Sequence, residues 1–146
     1  MMLGDRYLGL DIGEVRIGVA VSDELGSIAS PVAMIPRRSD VVTELKKLIA
    51  RYTPAALVVG LPVGLSGREG PQAQATREYA AELAEAVGLP IEYYDERMSS
   101  SIAEQTLISQ GTRREKRKQQ IDAMAAAVIL QGYLDNRRWK ANRRRS

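Results

Sequence analysis

Residues Leu8–Asp23 read LGLDIGEVRIGVAVSD and set one carboxylate, Asp11, inside an otherwise apolar strand pattern. Tyr7, Leu8, Leu10 and Ile12 have the character of a buried strand, Gly13 breaks it, and Ile17, Val19 and Val21 resume the alternation of a second strand. The pattern predicts a β-hairpin. An unpaired carboxylate buried in mid-strand costs several kcal/mol unless a cation or hydrogen-bond donors compensate it. Asp11 is therefore either a partly exposed strand-end residue, or paired with a neighbour such as Arg16, or part of a site built with other acids.

Composition narrows the choice. The 146 residues suit one domain, and 45% hydrophobic content suffices for a core. The chain has no cysteine and no histidine, which removes Cys/His zinc sites, thiol nucleophiles, Ser-His-Asp triads and imidazole bases. Catalysis would then rest on carboxylates, Lys, Tyr or metal ions. No secretion signal and no long apolar run stand out, so the expectation is a cytoplasmic protein without a membrane segment. The net charge of +3 is unevenly spread: residues 1–112 hold 10 Lys/Arg against 15 Asp/Glu, and residues 113–146 hold 11 against 3. A basic quarter of this kind suits a polyanion, a solvated helix face and a solubilising tail being the plainer readings.

Along the chain, residues 27–36 predict a short third strand, which Pro31 and Pro36 push to a sheet edge. Ser39 or Asp40 can cap a helix to Tyr52, and the apolar run 55–61 between Pro54 and Pro62 predicts a strand covered on both faces. Residues 62–71 form a long loop containing Arg68. A helix over 72–87 stopped by Gly88, a strand over 90–94 and a capping box at Ser101–Glu104 for a helix to Gln110 follow. The basic connector 112–119 leads to an amphipathic helix over 120–133, and residues 136–146 form a basic tail too poor in apolar residues to pack. The expected domain is 1–135 and the tail 136–146.

The resulting order, β-β-β-α-β-α-β-α-α, is that of an α/β ribonuclease-H-like fold, a five-stranded mixed sheet flanked by helices. In that plan Asp11 lies on a central strand, Glu96 follows the last strand, and the final helix carries Asp122. Three carboxylates without histidine suit Mg²⁺ or Mn²⁺, and two such ions about 4 Å apart can clamp the attacking and leaving oxygens of a phosphodiester.

The blocks LGLDIGEVRIGVAVSD, VVGLPVGLSGREGPQA, YYDERMSS and KQQIDAMAAAVILQGYL, in this order and spacing, resemble the YqgF/RuvX family. These are small bacterial Holliday-junction-resolvase-like nucleases associated with maturation of the small-subunit (16S) ribosomal RNA precursor. The resemblance covers nearly the whole chain and implies that Asp11, Glu96 and Asp122 are the catalytic, metal-binding acids. Asp95 adjoins Glu96, and the motif alone assigns the role to Glu96. Arg16, Arg68, Arg97, Arg113, Arg114, Lys116, Arg117 and Lys118 are the expected nucleic-acid contacts. The implied partner is a structured RNA precursor or branched DNA, bound by a monomer or a homodimer. The alternatives are a Holliday junction resolvase and a non-catalytic nucleic-acid-binding module. An actin-like or sugar-kinase ATPase shares the Asp-x-Gly strand but needs two such domains, for which this chain is too short.

Overall fold

Gly13 turns the first hairpin, its N–H donating to the carbonyl of Arg16 at 3.0 Å. On either side run β1 (Tyr7–Ile12) and β2 (Arg16–Ser22), antiparallel, with Leu10 opposite Val19 and Asp11 opposite Gly18. The computed structural model describes residues 5–62, 69–95 and 123–137. Within them β3 (Ala29–Pro36), β4 (Ala56–Leu61) and β5 (Ile91–Asp95) complete one mixed sheet of order β3-β2-β1-β4-β5. β3 is antiparallel to β2, while β4 is parallel to both β1 and β5.

The third strand takes the edge position that its prolines predict, and its register with β2 shifts between Val19 and Ala20, opposite Pro31. It begins at Ala29, two residues later than the pattern suggests. The Asp23 carboxylate explains the delay: it accepts from the N–H and hydroxyl of Ser27, both at 2.7 Å, and folds residues 23–28 into a loop. All six residues of β4 are buried, as an apolar strand between two parallel neighbours should be.

Helix α1 (Val41–Tyr52) is capped by Asp40, whose carboxylate accepts from the Thr43 N–H at 3.1 Å. Helix α2 (Pro71–Val87) places Pro71 in its first turn and ends on Gly88 at φ 75°. A third helix, α3, covers residues 123–137. It takes in Asn136 and Arg137, the first two residues of the expected tail. The Arg137 guanidinium lies 5.4 Å from the centre of the Tyr7 ring, so a residue that composition assigns to solvent instead extends the packed helix. The expected helix 101–110 and the basic connector lie outside the described residues, as do most of the 62–71 loop and residues 138–146.

Strand alternation divides the core in two. Leu8, Leu10, Ile17, Val19, Val21, Leu57 and Val59 face one side, where they pack with Leu45 of α1 and Ala80 and Leu83 of α2. Tyr7, Ala20, Ala56 and Val58 face the other, against Ala126, Ile129, Leu130 and Leu134 of α3. Among the described residues no helix is long and apolar enough to cross a membrane.

Candidate nucleic-acid-cleaving site

Asp11 lies near the C-terminal end of β1, two residues beyond Gly9 and four beyond Tyr7, and so on the α3 side of the sheet. Its carboxylate is half-buried. Its partner across β2 is Gly18, and the next position on β4 beyond the Leu10–Val59 pair is Gly60. Neither neighbour carries a side chain to stand beside the carboxylate in this row. An oxygen donor of this kind fits a hard divalent cation, which binds through a few carboxylates and keeps several waters.

The path of α3 relative to β1 follows from three contacts. At the start of the strand, the rings of Tyr7 and Tyr133 meet edge to face at 5.6 Å. At Gly9, an added Cβ would stand 2.8 Å from Leu130 Cβ and 3.2 Å from the Ala126 carbonyl oxygen. Two residues up the strand thus correspond to about one turn back along the helix. The two steps match in length, about 6.6 Å for two strand residues and about 6 Å for four helical ones. The next step, from Gly9 to Asp11, brings the N-terminal turn of α3 level with the carboxylate. Gly9 is what lets the helix come this close, and Gly132 does the same on β5, where a Cβ would stand 2.5 Å from Tyr94 Oη.

Gln131 fixes the helix lengthwise. Its amide donates to the Ser27 carbonyl at 2.8 Å and its carbonyl accepts from the Ala29 N–H at 2.9 Å, pairing with the β2–β3 loop as a strand would. At the same end of the sheet as Tyr7, burial pushes the Tyr7 phenol up, partly offset by the Arg137 charge. The Tyr133 phenol is raised by burial as well, offset by the bond from Arg137.

β5 ends on Asp95, opposite Leu61. Ile91 and Tyr93 pack with the α1/α2 cluster and Tyr94 with the α3 cluster, so alternation puts Asp95 on the side away from Asp11. Arg16 falls on the Asp11 side, diagonal to it across the hairpin and within the reach of a long side chain. Glu96, Asp122, Arg68, Arg97, Arg113, Arg114, Lys116, Arg117 and Lys118 lie outside the described residues. Among the described residues no group of three or more acidic side chains converges.

Gly9, Gly132 and Gln131, which set the helix against the sheet, are not singled out by sequence patterning. Gly9 had a usable signal: a glycine inside a strand marks close backbone approach. Gln131 had none, because its partners are more than one hundred residues away.

A family model described as RuvX, Holliday junction resolvase, matches residues 5–136. A protein of Lactococcus lactis subsp. lactis named "Putative pre-16S rRNA nuclease" is 46% identical over 134 residues, covering 89% of this chain and 94% of that protein. One of the same name from Symbiobacterium thermophilum is 47% identical over 134 residues, covering 90% and 93%. Thermus thermophilus RuvC, solved in complex with a Holliday junction substrate, superposes with a TM-score of 0.55 at 16% identity, over 91% of this chain and 95% of that one. Fowlpox virus resolvase, solved with Holliday junction DNA, gives 0.51 at 10%, over 90% and 97%. The structural likeness carries the ribonuclease-H-like fold, and the sequence match carries the lineage: the chain belongs to the RuvX family.

Proposed function

We propose that this protein is a metal-dependent nuclease that hydrolyses phosphodiester bonds in the precursor of 16S ribosomal RNA, in the cytoplasm, with Asp11, Glu96 and Asp122 as its catalytic acids. The observation that carries the reading is the placing of Asp11: a carboxylate between Gly18 and Gly60, with the N-terminal turn of α3 level with it. Asp122 directly precedes the described part of that helix. Glu96 directly follows Asp95, the last residue of β5, whose side chain alternation turns away from Asp11. The names of relatives at 46% and 47% identity support the RNA substrate.

The three acids would hold Mg²⁺ or Mn²⁺, which when bound supplies charge neutralisation at the phosphate and a nucleophilic water near neutral pH. The chain's own contribution is to supply the carboxylates and to hold α3 against the strand that carries Asp11. Gly9, Gly132 and Gln131 hold α3 in place, Gly18 and Gly60 set no side chain beside Asp11, and Arg16 supplies positive charge on the same face. The chain has no histidine to act as a base.

The family's description favours a second substrate, a four-way DNA junction. Incubating the protein with labelled 16S precursor RNA and with a DNA junction, in Mg²⁺, Mn²⁺ or EDTA, separates the two. The expected result is metal-dependent cleavage of the RNA. Cleavage of the junction alone selects the resolvase reading, and cleavage of neither overturns the proposal.

A further inference from the structure

A hollow of about 700 Å³ opens beside the Asp11 row, lined by Glu14, Val15, Arg16, Met34, Pro36, Arg37 and Arg38. Met34 lies opposite Gly18, which in turn lies opposite Asp11. The hollow is therefore two strands, about 10 Å, from the carboxylate on the same face, with only a glycine in the row between them. Its lining takes in three arginines and one acid, Glu14. Arg37 is held in place from three sides: its N–H donates to the Val15 carbonyl at 2.8 Å, its Nη1 donates to the Gly13 carbonyl at 3.1 Å, and its guanidinium stacks 4.1 Å above the Tyr79 ring. Arg38 is exposed.

Arg37 and Glu14 also line a second hollow of about 400 Å³, which runs past Gly13 to Gln72 and Thr76 in the first turns of α2. Among the described residues that helix has no side-chain cap and no acidic residue in its first turn. Glu69, just before it, is engaged by Arg77 at 2.6 Å. By contrast α1 carries Asp40 at its cap and Glu44 in its first turn. Positive charge is thus concentrated along one path at the end of the sheet where Asp11 lies.

We propose that the Arg16–Arg37–Arg38 hollow is a phosphate-backbone site, which holds the nucleic-acid strand next to the bond cut at Asp11. Arg37, its guanidinium held on Tyr79, forms a fixed rim at the strand end, and Arg38 is the one that reaches from solvent. The inference rests on the nuclease reading and adds to it a path for the substrate. Contacts to phosphate position a strand without reading its sequence, so the site tolerates any base.

The test measures binding of a short fluorescein-labelled single-stranded RNA, and of a labelled four-way DNA junction, over a range of KCl with Ca²⁺ in place of Mg²⁺. The variants are Arg38→Ala, Arg38→Lys, the double Arg16→Ala/Arg38→Ala and, at the far end of α1, the control Arg51→Ala. For the RNA, Arg38→Ala should weaken binding several-fold and reduce the log–log salt slope by about 0.7, the double variant by about twice that, and the loss on junction DNA should be about 0.9 per contact. Arg38→Lys should restore the slope, because it restores the charge. Circular dichroism identifies any variant that has lost its fold, and the exposed Arg38 allows the charge to be tested without touching the core. Arg38→Ala matching the unaltered protein in affinity and slope, or Arg51→Ala losing as much, overturns the backbone site while leaving the nuclease reading intact. A protein that binds neither nucleic acid overturns both.

Discussion

The two faces of the sheet are built from different residues. Toward α1 and α2, the central strands present Leu8, Leu10, Ile17, Val19, Leu57 and Val59, all fully buried. Toward α3 the same strands present Tyr7, Gly9, Asp11, Gly18, Ala20, Ala56 and Val58. Branched side chains fill volume and contribute apolar burial, whereas glycine and alanine bring a helix backbone close and leave gaps where a carboxylate is tolerated. One face holds the fold together and the other carries the candidate chemistry. Each face should therefore respond differently to substitution.

The largest contrast is expected between the sequence neighbours Asp95 and Glu96. Glu96→Gln should lower the cleavage rate about a thousandfold or more, since a metal ligand's charge supplies several kcal/mol to the transition state. Asp95→Asn should leave a rate far closer to that of the unaltered protein. A larger loss in Asp95→Asn, measured in single turnovers, would assign the metal to the wrong face.

Next in size are core substitutions on the two faces of β1. Leu10→Ala should cost about 2–5 kcal/mol in urea unfolding. Cleavage per folded molecule should stay unchanged, because Leu10 packs on the α1/α2 side, away from Asp11. Gly9→Ala adds a methyl group where Leu130 Cβ and the Ala126 carbonyl already stand, and should cost about 1–3 kcal/mol as α3 is displaced. It should also slow cleavage, since the displaced helix passes level with Asp11. Equal loss of activity per folded molecule in the two variants would remove the distinction between the faces.

The smallest effect concerns the scaffold alone. Asp40 has its carboxyl held below the ordinary value of 3.8, chiefly by the Thr43 hydroxyl and then by the Thr43 N–H. A carboxyl lowered by folding stabilises the protein fully above its ordinary value and loses that contribution as pH falls through the lowered one. Asp40→Ala should thus lower Tm slightly at neutral pH, and the gap should close below pH 3.8. A gap that persists in acid would mean that the cap acts through something other than its charge.

Much of the fold was legible because it is written in alternation and punctuation. The hairpin at Gly13, the edge position of β3, the buried β4 and the stop at Gly88 all follow from local patterns. The site was legible only as residue types. Asp11 could be picked out as an acid among apolar neighbours, but adjacency in sequence does not say that Asp95 faces away from it, which only the pairing of β5 shows. The helix-setting contacts were hidden for a related reason. Gly132 matters only because Tyr94 lies against it, and Arg37 contributes to a groove only because Tyr79 and Gly13 hold it there. The end of the last helix was misjudged for want of a partner, since Arg137 looks like tail until Tyr7 is beneath it.

The central claim is that Asp11 is a metal-binding catalytic acid and not a satisfied structural one. The most direct test is the single-turnover rate of Asp11→Asn on the preferred substrate as a function of Mn²⁺, with unfolding followed in parallel. The expected rate is lower by about a thousandfold or more and is not fully restored by added Mn²⁺, in a protein about as stable as the parent because only a half-buried charge has been removed. Cleavage near the parent rate, or a protein that unfolds when this one charge is lost, would contradict the claim.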